Sequence, residues 1–285
     1  MITWKADTGR AVVHVRAHRA AAFRVTLTGF RVTRRTADDP LRRDGADDEV
    51  YLTSTSAGFD SRNQRVRGTA TRSRVIGDIH DRPDRVLGGS SWDVFKGNGG
   101  FTSGDAFPDR HPERVSRPLR DAAPPSLLFA GTLVQGESSL ITIPEIWEWD
   151  DHPAQPPKGD GTTTVPIPPS TPGFLRVLRA TRVNDIELPA VLRRMILRPA
   201  SAVALPPEPF MRFGATDGTR PIGLRATGTD AYTRDPTAIT LTYDLAELAA
   251  RTDFGHGPGV IRIRYADPPG LDGDYTLYVR IERVT

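Results

Sequence analysis

Carboxylates are concentrated in one short stretch of this 285-residue chain, between Thr36 and Leu52. Their oxygens are the ligands that a hard cation such as Ca²⁺ takes from proteins. Arginine is the alternative partner, because a guanidinium beside a carboxylate also relieves the repulsion between like charges. The stretch therefore predicts either a calcium site or a loop that is neutralised by arginine. Its acidic residues are Asp38, Asp39, Asp44, Asp47, Asp48 and Glu49, and the arginines near them in sequence are Arg31, Arg34, Arg35, Arg42 and Arg43.

A second acidic strand end follows the apolar run SSLITIPEIW, where Glu148, Asp150 and Asp151 come in close succession. A fold that packs both runs into one β structure would bring the two acidic ends together. The calcium hypothesis therefore draws its ligands from both ends. Mg²⁺ is the poorer candidate, because it requires near-octahedral geometry. The predicted ligands are Asp44, Asp47, Asp48, Glu148 and Asp150.

Two further places put an imidazole next to a carboxylate, at His80–Asp81 and at His111 with Glu113. Such pairs can serve as metal ligands or as an acid and a base, which would make the protein a metal-assisted hydrolase. Neither pair has the H-E-x-x-H spacing of metallohydrolases, and the chain has no G-x-S-x-G nucleophile motif. The residue pattern therefore favours exposed histidines at both places.

The elements that would position these residues follow from the hydrophobic pattern. Phe23, Val25 and Leu27 alternate with polar residues, and the same period of two recurs along the chain, which is typical of half-buried strands. The 26 glycines and 25 prolines favour turns over long helices. The sequence predicts a mainly β fold, an antiparallel β-sandwich with long loops and a small helix-containing insertion. The predicted core strands are residues 23–32, 50–55, 127–134, 140–149, 238–243, 260–265 and 275–283.

Three local features complete this interpretation. The polar turn between the strands 127–134 and 140–149 predicts a hairpin. Residues 58–125 contain few apolar residues and predict long loops. A short helix should begin at Asp244, which would be its N-cap, with Glu247 three residues later.

The predicted domain organisation has three parts. Residues 1–151 form the first part of the sandwich with the acidic, calcium-type loops. Residues 152–216 form a proline-rich and partly helical insertion, because 152–173 are rich in proline and 174–197 carry apolar residues at helical spacings. Residues 217–285 supply the remaining sandwich strands.

Composition excludes several classes of function. The chain has no cysteine, which rules out disulfides, thiolate chemistry and cysteine-ligated metals. The net charge of +3 is small and the basic residues are interleaved with acids, so no nucleic-acid partner is expected. No run of about 18 apolar residues and no signal-peptide pattern occurs, so the chain is expected to be soluble.

Several of these segments resemble the calcium-dependent phospholipid-binding domains of protein kinase C and synaptotagmin, here called the C-two family. The segment from FRVTLTGFRV to DGADDEVYL is similar to the first calcium loop of that family. ITIPEIWEWDD is similar to the strand that ends in an acidic loop, TDGTRPIG to the segment that closes this loop, and PGVIRIRYAD to a late strand. The matching positions are Gly45, Asp48, Tyr51, Glu148, Asp150, Asp217, Ile222 and Gly223.

The resemblance implies an eight-stranded antiparallel sandwich with calcium loops at one end, no enzyme activity and membrane lipid as a possible partner. The leading hypothesis is thus a non-enzymatic calcium-binding β-sandwich module for surface recognition, adhesion or assembly, with a protein or surface ligand as its partner. The alternative is a metal-independent structural component of a larger protein assembly. In that alternative the arginine-rich strands and the proline-rich segment are contact surfaces. The metal-assisted hydrolase is the second alternative.

Overall fold

The structure is a computed structural model and describes residues 6–7, 10–11, 18–37, 47–62, 64–78, 85–93, 98–108, 110–115, 124–149, 188–203, 208–211, 220–228 and 231–284. Several residues of the sequence hypotheses lie outside these ranges. They are Asp38, Asp39, Arg42, Arg43, Asp44, Gly45, His80, Asp81, Asp150, Asp151 and Asp217.

The described residues are mainly strand, with two short α-helices, so the predicted mainly β class with a small helical insertion is confirmed. The helices are α1 (Leu188–Ile196) and α2 (Tyr243–Arg251). Single 3₁₀ turns lie at Pro112–Arg114 and Ala200–Ala202. The strands are β1 (Ala6–Asp7), β2 (Arg10–Ala11), β3 (Ala20–Arg34), β4 (Val50–Phe59), β5 (Arg65–Arg72), β6 (Val75–Asp78), β7 (Arg85–Leu87), β8 (Ser91–Asp93), β9 (Asn98–Gly100), β10 (Ala106–Phe107), β11 (Ser126–Val134), β12 (Ser139–Glu148), β13 (Leu197–Pro199), β14 (Glu208–Met211), β15 (Arg220–Pro221), β16 (Arg225–Gly228), β17 (Ala231–Arg234), β18 (Thr237–Thr242), β19 (Val260–Ala266) and β20 (Asp274–Val284).

The first large sheet is built around β3. Its strand order is β10-β3-β20-β19, and β11 also pairs with β3. All of these pairings are antiparallel, and β20 follows β3 from Asp274 opposite Arg34 to Val284 opposite Ala22. This sheet therefore joins an N-terminal strand to the last strands of the chain.

The second large sheet is built around β12. Its order is β13-β18-β12-β4-β6-β7, with β15 added to β12 and β5 added to β4. β12 and β4 are paired along their whole length, from Ser139 opposite Phe59 to Glu148 opposite Val50. This pairing places the end of β12 beside the start of β4, where the two acidic stretches lie.

One hydrophobic cluster packs the two large sheets against each other. Along β19 its members alternate with exposed residues, because successive side chains of a strand point to opposite faces. Both helices cover this cluster, α1 through Leu192 and Ile196 and α2 through Leu245 and Ala249. The strand residues include Phe23, Val25, Leu27 and Phe30 from β3, Leu277 and Val279 from β20, Val50 and Leu52 from β4, Leu140 and Ile146 from β12, and Leu241 from β18. The eight-stranded sandwich implied by the resemblance stays a prediction.

Three of the local predictions are wrong. β11 pairs with β3 and β12 pairs with β4, so these consecutive strands lie in different sheets and do not form a hairpin. Residues 58–125 contain several strands, of which β5 is the longest, because backbone pairing with β4 holds a segment that has little apolar content. The N-cap of α2 is Thr242, whose hydroxyl accepts a hydrogen bond from Leu245 N, while Asp244 accepts one from the side chain of Gln135.

Among the described helices, none has the length and apolar character needed to cross a bilayer. The division of the chain at residues 151 and 216 stays a prediction. Two pairings cross this division: β18 pairs with β12, and β20 pairs with β3. Strands from the last part of the chain therefore lie in the same sheets as strands from the first part.

Candidate functional site

Two of the predicted ligands, Asp48 and Glu148, meet at one end of the packed sheets. Asp48 pairs with Phe101 just before β4, and Glu148 ends β12. Thr36, shortly after β3, lies between them, with its hydroxyl 2.8 Å from Oδ1 of Asp48 and in contact with Oε1 of Glu148. The expectation that the two acidic stretches come together therefore holds for these two residues.

Asp48 is surrounded by hydrogen-bond donors. Its Oδ2 accepts a 2.8 Å hydrogen bond from the backbone N of Thr36 and another from the hydroxyl of Tyr275. The residue is only 2% exposed. Burial raises the pKa of Asp48 above its ordinary value, and it outweighs the hydrogen bonds from Tyr275 and Thr36, which lower that pKa.

The hydroxyl of Thr36 lies between two carboxylates. It carries one hydrogen, so it can donate to only one of its two carboxylate neighbours. A proton on Asp48 satisfies both contacts, because Asp48 then donates to Thr36 and Thr36 donates to Glu148. The raised pKa of Asp48 agrees with this arrangement.

Arg220 is the cation of this cluster. Residues 220 and 148 are partners in the pairing of β15 with β12. Its Nε lies 2.8 Å from Oε2 of Glu148, its Nη1 lies 2.7 Å from Oδ2 of Asp267, and its Nη2 donates to the backbone O of Leu271 at 3.1 Å. Burial alone would lower the pKa of Arg220, but the two carboxylates raise it above its ordinary value, so the guanidinium stays charged.

Asp267 completes the cluster from the turn that follows β19. Its second oxygen, Oδ1, accepts hydrogen bonds from the backbone N of Gly223 at 2.7 Å and of Leu224 at 3.0 Å. Gly223 has a φ of +96°, and a Cβ there would lie 2.7 Å from the ring of Tyr265. The turn after Arg220 therefore requires glycine at this position.

Asp47 is bound by arginine at the surface. Nη1 of Arg35 lies 2.9 Å from Oδ1 of Asp47. Arg35 is one of the arginines that the sequence offered as an alternative to calcium, so both Asp47 and Glu148 have the kind of partner that this alternative requires. The predicted ligands Asp44 and Asp150 lie outside the described residues.

The described carboxylates do not fit a calcium cage. Ca²⁺ takes six to eight oxygens directed at one point, whereas the oxygens of Asp48, Glu148 and Asp267 are directed at hydroxyls, backbone N–H groups and a guanidinium. Over the ranges that the structure describes, no group of three or more His, Cys, Asp or Glu side chains is placed to hold a metal ion. Calcium binding by the whole acidic stretch stays a prediction, because half of that stretch is not described.

The histidine pair of the hydrolase hypothesis lies on the outside of the first sheet. Nδ1 of His111 is 3.1 Å from Oε1 of Glu113, and the His111 side chain is 53% exposed. The backbone of this segment is held to the sheet by Arg31, which donates to the O of Arg110, and by Arg280, which donates to the O of Glu113. The pair is a surface contact on a segment that is fastened to β3 and β20.

A second feature lies at the margin of the second sheet, where all eight residues of β5 are exposed. At the end of β5, the guanidinium of Arg72 lies over the ring of Tyr51 at 4.4 Å, and this ring stacks on Trp147 with centroids 5.9 Å apart. Such contacts are favourable because the face of an aromatic ring attracts a cation. They fix the end of β5 against the sheet.

Sequence reasoning missed Arg220, Asp267 and Tyr275 as members of the buried cluster. The one available signal was an arginine inside the segment TRPIGL, whose other residues are suited to a buried turn. No family model, curated protein or solved structure matches the chain. The resemblance to the C-two family therefore stays a prediction.

Proposed function

We propose that the chain is a non-enzymatic β-sheet module that recognises another protein within an assembly, and that arginine rather than calcium neutralises its acidic strand ends. The observation that carries the proposal is the buried guanidinium of Arg220, which lies within hydrogen-bond distance of both Glu148 and Asp267. This is the metal-independent alternative of the sequence interpretation.

The cluster supports a structural role because it links both large sheets. Thr36 and Tyr275 belong to the region of β3 and β20, and Glu148 belongs to β12 in the other sheet. Removing one partner from a buried ion pair is costly, because the remaining charge is then uncompensated. A complete set of partners therefore locks the relative position of the two sheets at this end.

Burial supports the absence of catalysis at the cluster. The side chains of Arg220 and Glu148 are 3% and 5% exposed. A general acid or base must come within hydrogen-bond distance of a substrate, and these groups are instead saturated by protein partners. Structural ion-pair networks also shift pKa values, so the raised pKa of Asp48 does not require a catalytic role.

The surface of β5 supports recognition. The strand exposes arginines at three of its eight positions, Arg65, Arg67 and Arg72. An exposed strand at the edge of a sheet offers unpaired backbone groups to another chain. The module thus combines a rigid, internally neutralised end with an open and basic edge.

Calcium titration of chelator-treated protein tests the proposal. We expect no binding heat and no change in melting temperature when CaCl₂ is added. An ion that bound only the folded state would add about 2.7 kcal/mol of stability at 100 times its dissociation constant. Stabilisation of that size, with magnesium as the matched control and without effect, would overturn the proposal in favour of the calcium-binding module.

A further inference from the structure

We propose that β5 is an open edge that receives an extended acidic polypeptide segment as an added strand. This inference rests on the proposed function and names the chemical class of its partner. The added strand would pair through its backbone with β5, on the side opposite to β4, and its carboxylates would contact the arginines of β5. In this mode of recognition, main-chain hydrogen bonds give affinity and side chains give specificity.

Within the described residues, this edge is long and unpaired. β5 pairs with β4 from Arg72 opposite Thr53 to Arg65 opposite Phe59. No other strand of the described residues pairs with it, and each of its eight residues is exposed. β12 pairs with β4 along its whole length. The strand next to β5 is therefore held in the interior of the sheet.

The middle of β5 leaves its backbone accessible. Residues 68–71 are Gly, Thr, Ala and Thr, and they carry neither charge nor bulk. Proline is absent from the strand, so every residue keeps its backbone N–H. A one-residue irregularity interrupts the pairing between Gly58 and Phe59 of β4 and leaves Val66 without a partner, so regular pairing extends from Arg67 to Arg72.

The charges of β5 determine which segment fits. Arg72 shares the face of Tyr51, over whose ring it lies, and Arg67 reaches toward β11 of the other sheet, where its Nη1 donates to the O of Ala130 at 3.3 Å. The guanidinium of Arg65 lies across Gly68, since a Cβ at Gly68 would be 1.8 Å from Nη2 of Arg65. No carboxylate of the described residues forms an ion pair with these three arginines. An added strand therefore meets uncompensated positive charge on both of its faces.

The same charges argue against a second copy of this chain at the edge. Pairing β5 with another β5 would bring arginines close to arginines, and like charges on neighbouring strands are destabilising. Arginines at a sheet edge also prevent aggregation in natural proteins. An edge that served protection alone would have no preference for an acidic strand, and this difference is measurable.

The test uses the full chain and two eight-residue peptides, one alternating glutamate with valine and one alternating lysine with valine. Binding is measured by titration calorimetry, and amide hydrogen exchange is followed by residue. We expect the glutamate peptide to bind and to slow exchange in β5 by tenfold or more, and the lysine peptide to do neither. The variant Arg65→Glu/Arg67→Glu should weaken binding of the glutamate peptide at least tenfold. The control Arg198→Glu, in β13 at the opposite edge of the same sheet, should bind like the original chain.

Arg72 is left unchanged in these variants because its contact with Tyr51 supports the fold, and melting temperatures check that the variants are folded. The inference is overturned if the glutamate peptide fails to bind. It is also overturned if that peptide binds without slowing exchange in β5, or if anionic phosphatidylserine vesicles slow this exchange and the peptide does not. None of these outcomes depends on calcium. Peptide binding at β5 can therefore fail while the proposal of a metal-independent module is retained, and the calcium titration can contradict that proposal while the peptide still binds at β5.

Discussion

Arg220 and Glu148 are neighbours on adjacent strands whose side chains form a buried ion pair of 2.8 Å. Because Asp267 holds the other side of the guanidinium, one cation serves two carboxylates from different parts of the chain. The pair therefore joins the second sheet to the turn between β19 and β20 in the first sheet.

Replacing Arg220 by Met should reduce the free energy of unfolding by about 3–5 kcal/mol, because two buried carboxylates lose their cation. Urea unfolding measures the change. The matched control is Arg225→Met, since Arg225 is 66% exposed and lies 3.8 Å from Asp235. The control should lose less than about 1 kcal/mol. Equal losses in the two variants would show that Arg220 does not have the role assigned to it.

Asp48→Asn separates arginine neutralisation from calcium binding. An asparagine can accept the hydrogen bonds from Thr36 N and Tyr275 through its oxygen and donate to the Thr36 hydroxyl through its nitrogen. We therefore expect the change in unfolding free energy at a given pH to be equal in CaCl₂ and in chelator. A loss that appears only in CaCl₂ would identify Asp48 as a calcium ligand.

The raised pKa of Asp48 predicts a pH dependence of stability. Its ordinary value is 3.8, and burial raises it in the folded chain. The folded state therefore binds the proton more tightly than the unfolded state. The resulting stability is fully present below pH 3.8 and is lost as the pH rises through the folded pKa.

Asp48→Asn supplies the comparison for this pH dependence, because asparagine stays neutral at every pH. The stability of Asp48→Asn relative to the original chain should increase as the pH rises above about 4. The slope of this difference in unfolding free energy against pH should correspond to at most one proton. Thermal unfolding between pH 4 and pH 8 measures the difference. A relative stability that decreases with pH would mean that the folded state stabilises the ionised carboxylate.

Gly29 should be intolerant of a side chain. Its φ is +155°, and a Cβ would lie 2.1 Å from the backbone O of Phe107 and 2.7 Å from Pro112. Gly29→Ala should therefore displace the segment that crosses β3 and cost more than about 2 kcal/mol. Gly136→Ala is the control, since Gly136 also has a positive φ of +76° but meets no atom within 4 Å. The control should cost about 1 kcal/mol. Chemical denaturation of both variants gives the comparison, and equal costs would show that the contact with Phe107 is not restrictive.

The strands were predictable because the alternation of apolar and polar residues that identifies a strand lies within the strand itself. The alternation of Phe23, Val25 and Leu27 with polar residues already defines the buried face of β3. β5 has no such pattern, because both of its faces are exposed and only its pairing with β4 makes it a strand. The failed hairpin has a related cause, since a four-residue connection can lead a chain either back along the same sheet or across to another.

The candidate site was predictable only in part. The sequence shows that Asp48 and Glu148 lie at strand ends, and the pairing of β4 with β12 brings these ends together. The choice between calcium and arginine depends on Arg220, whose position beside Glu148 follows from the pairing of β15 with β12. That pairing involves two residues of β15 and carries no periodic signal, so sequence patterns could not reveal the cation of the cluster.

Residues 217–285 should not fold without the rest of the chain. Residues 217–285 contain β18, β19 and β20, and β20 pairs with β3 over nearly its whole length while β18 pairs with β12. Expressed alone, this fragment loses both partners and the core residues that they contribute, and among the described strands it retains two separate two-stranded pairings, β16 with β17 and β19 with β20. A two-stranded pairing is marginally stable at best in water. We therefore expect circular dichroism of the fragment to show no cooperative thermal transition under conditions in which the full chain shows one. A cooperative transition in the fragment would mean that residues 217–285 form a domain of their own.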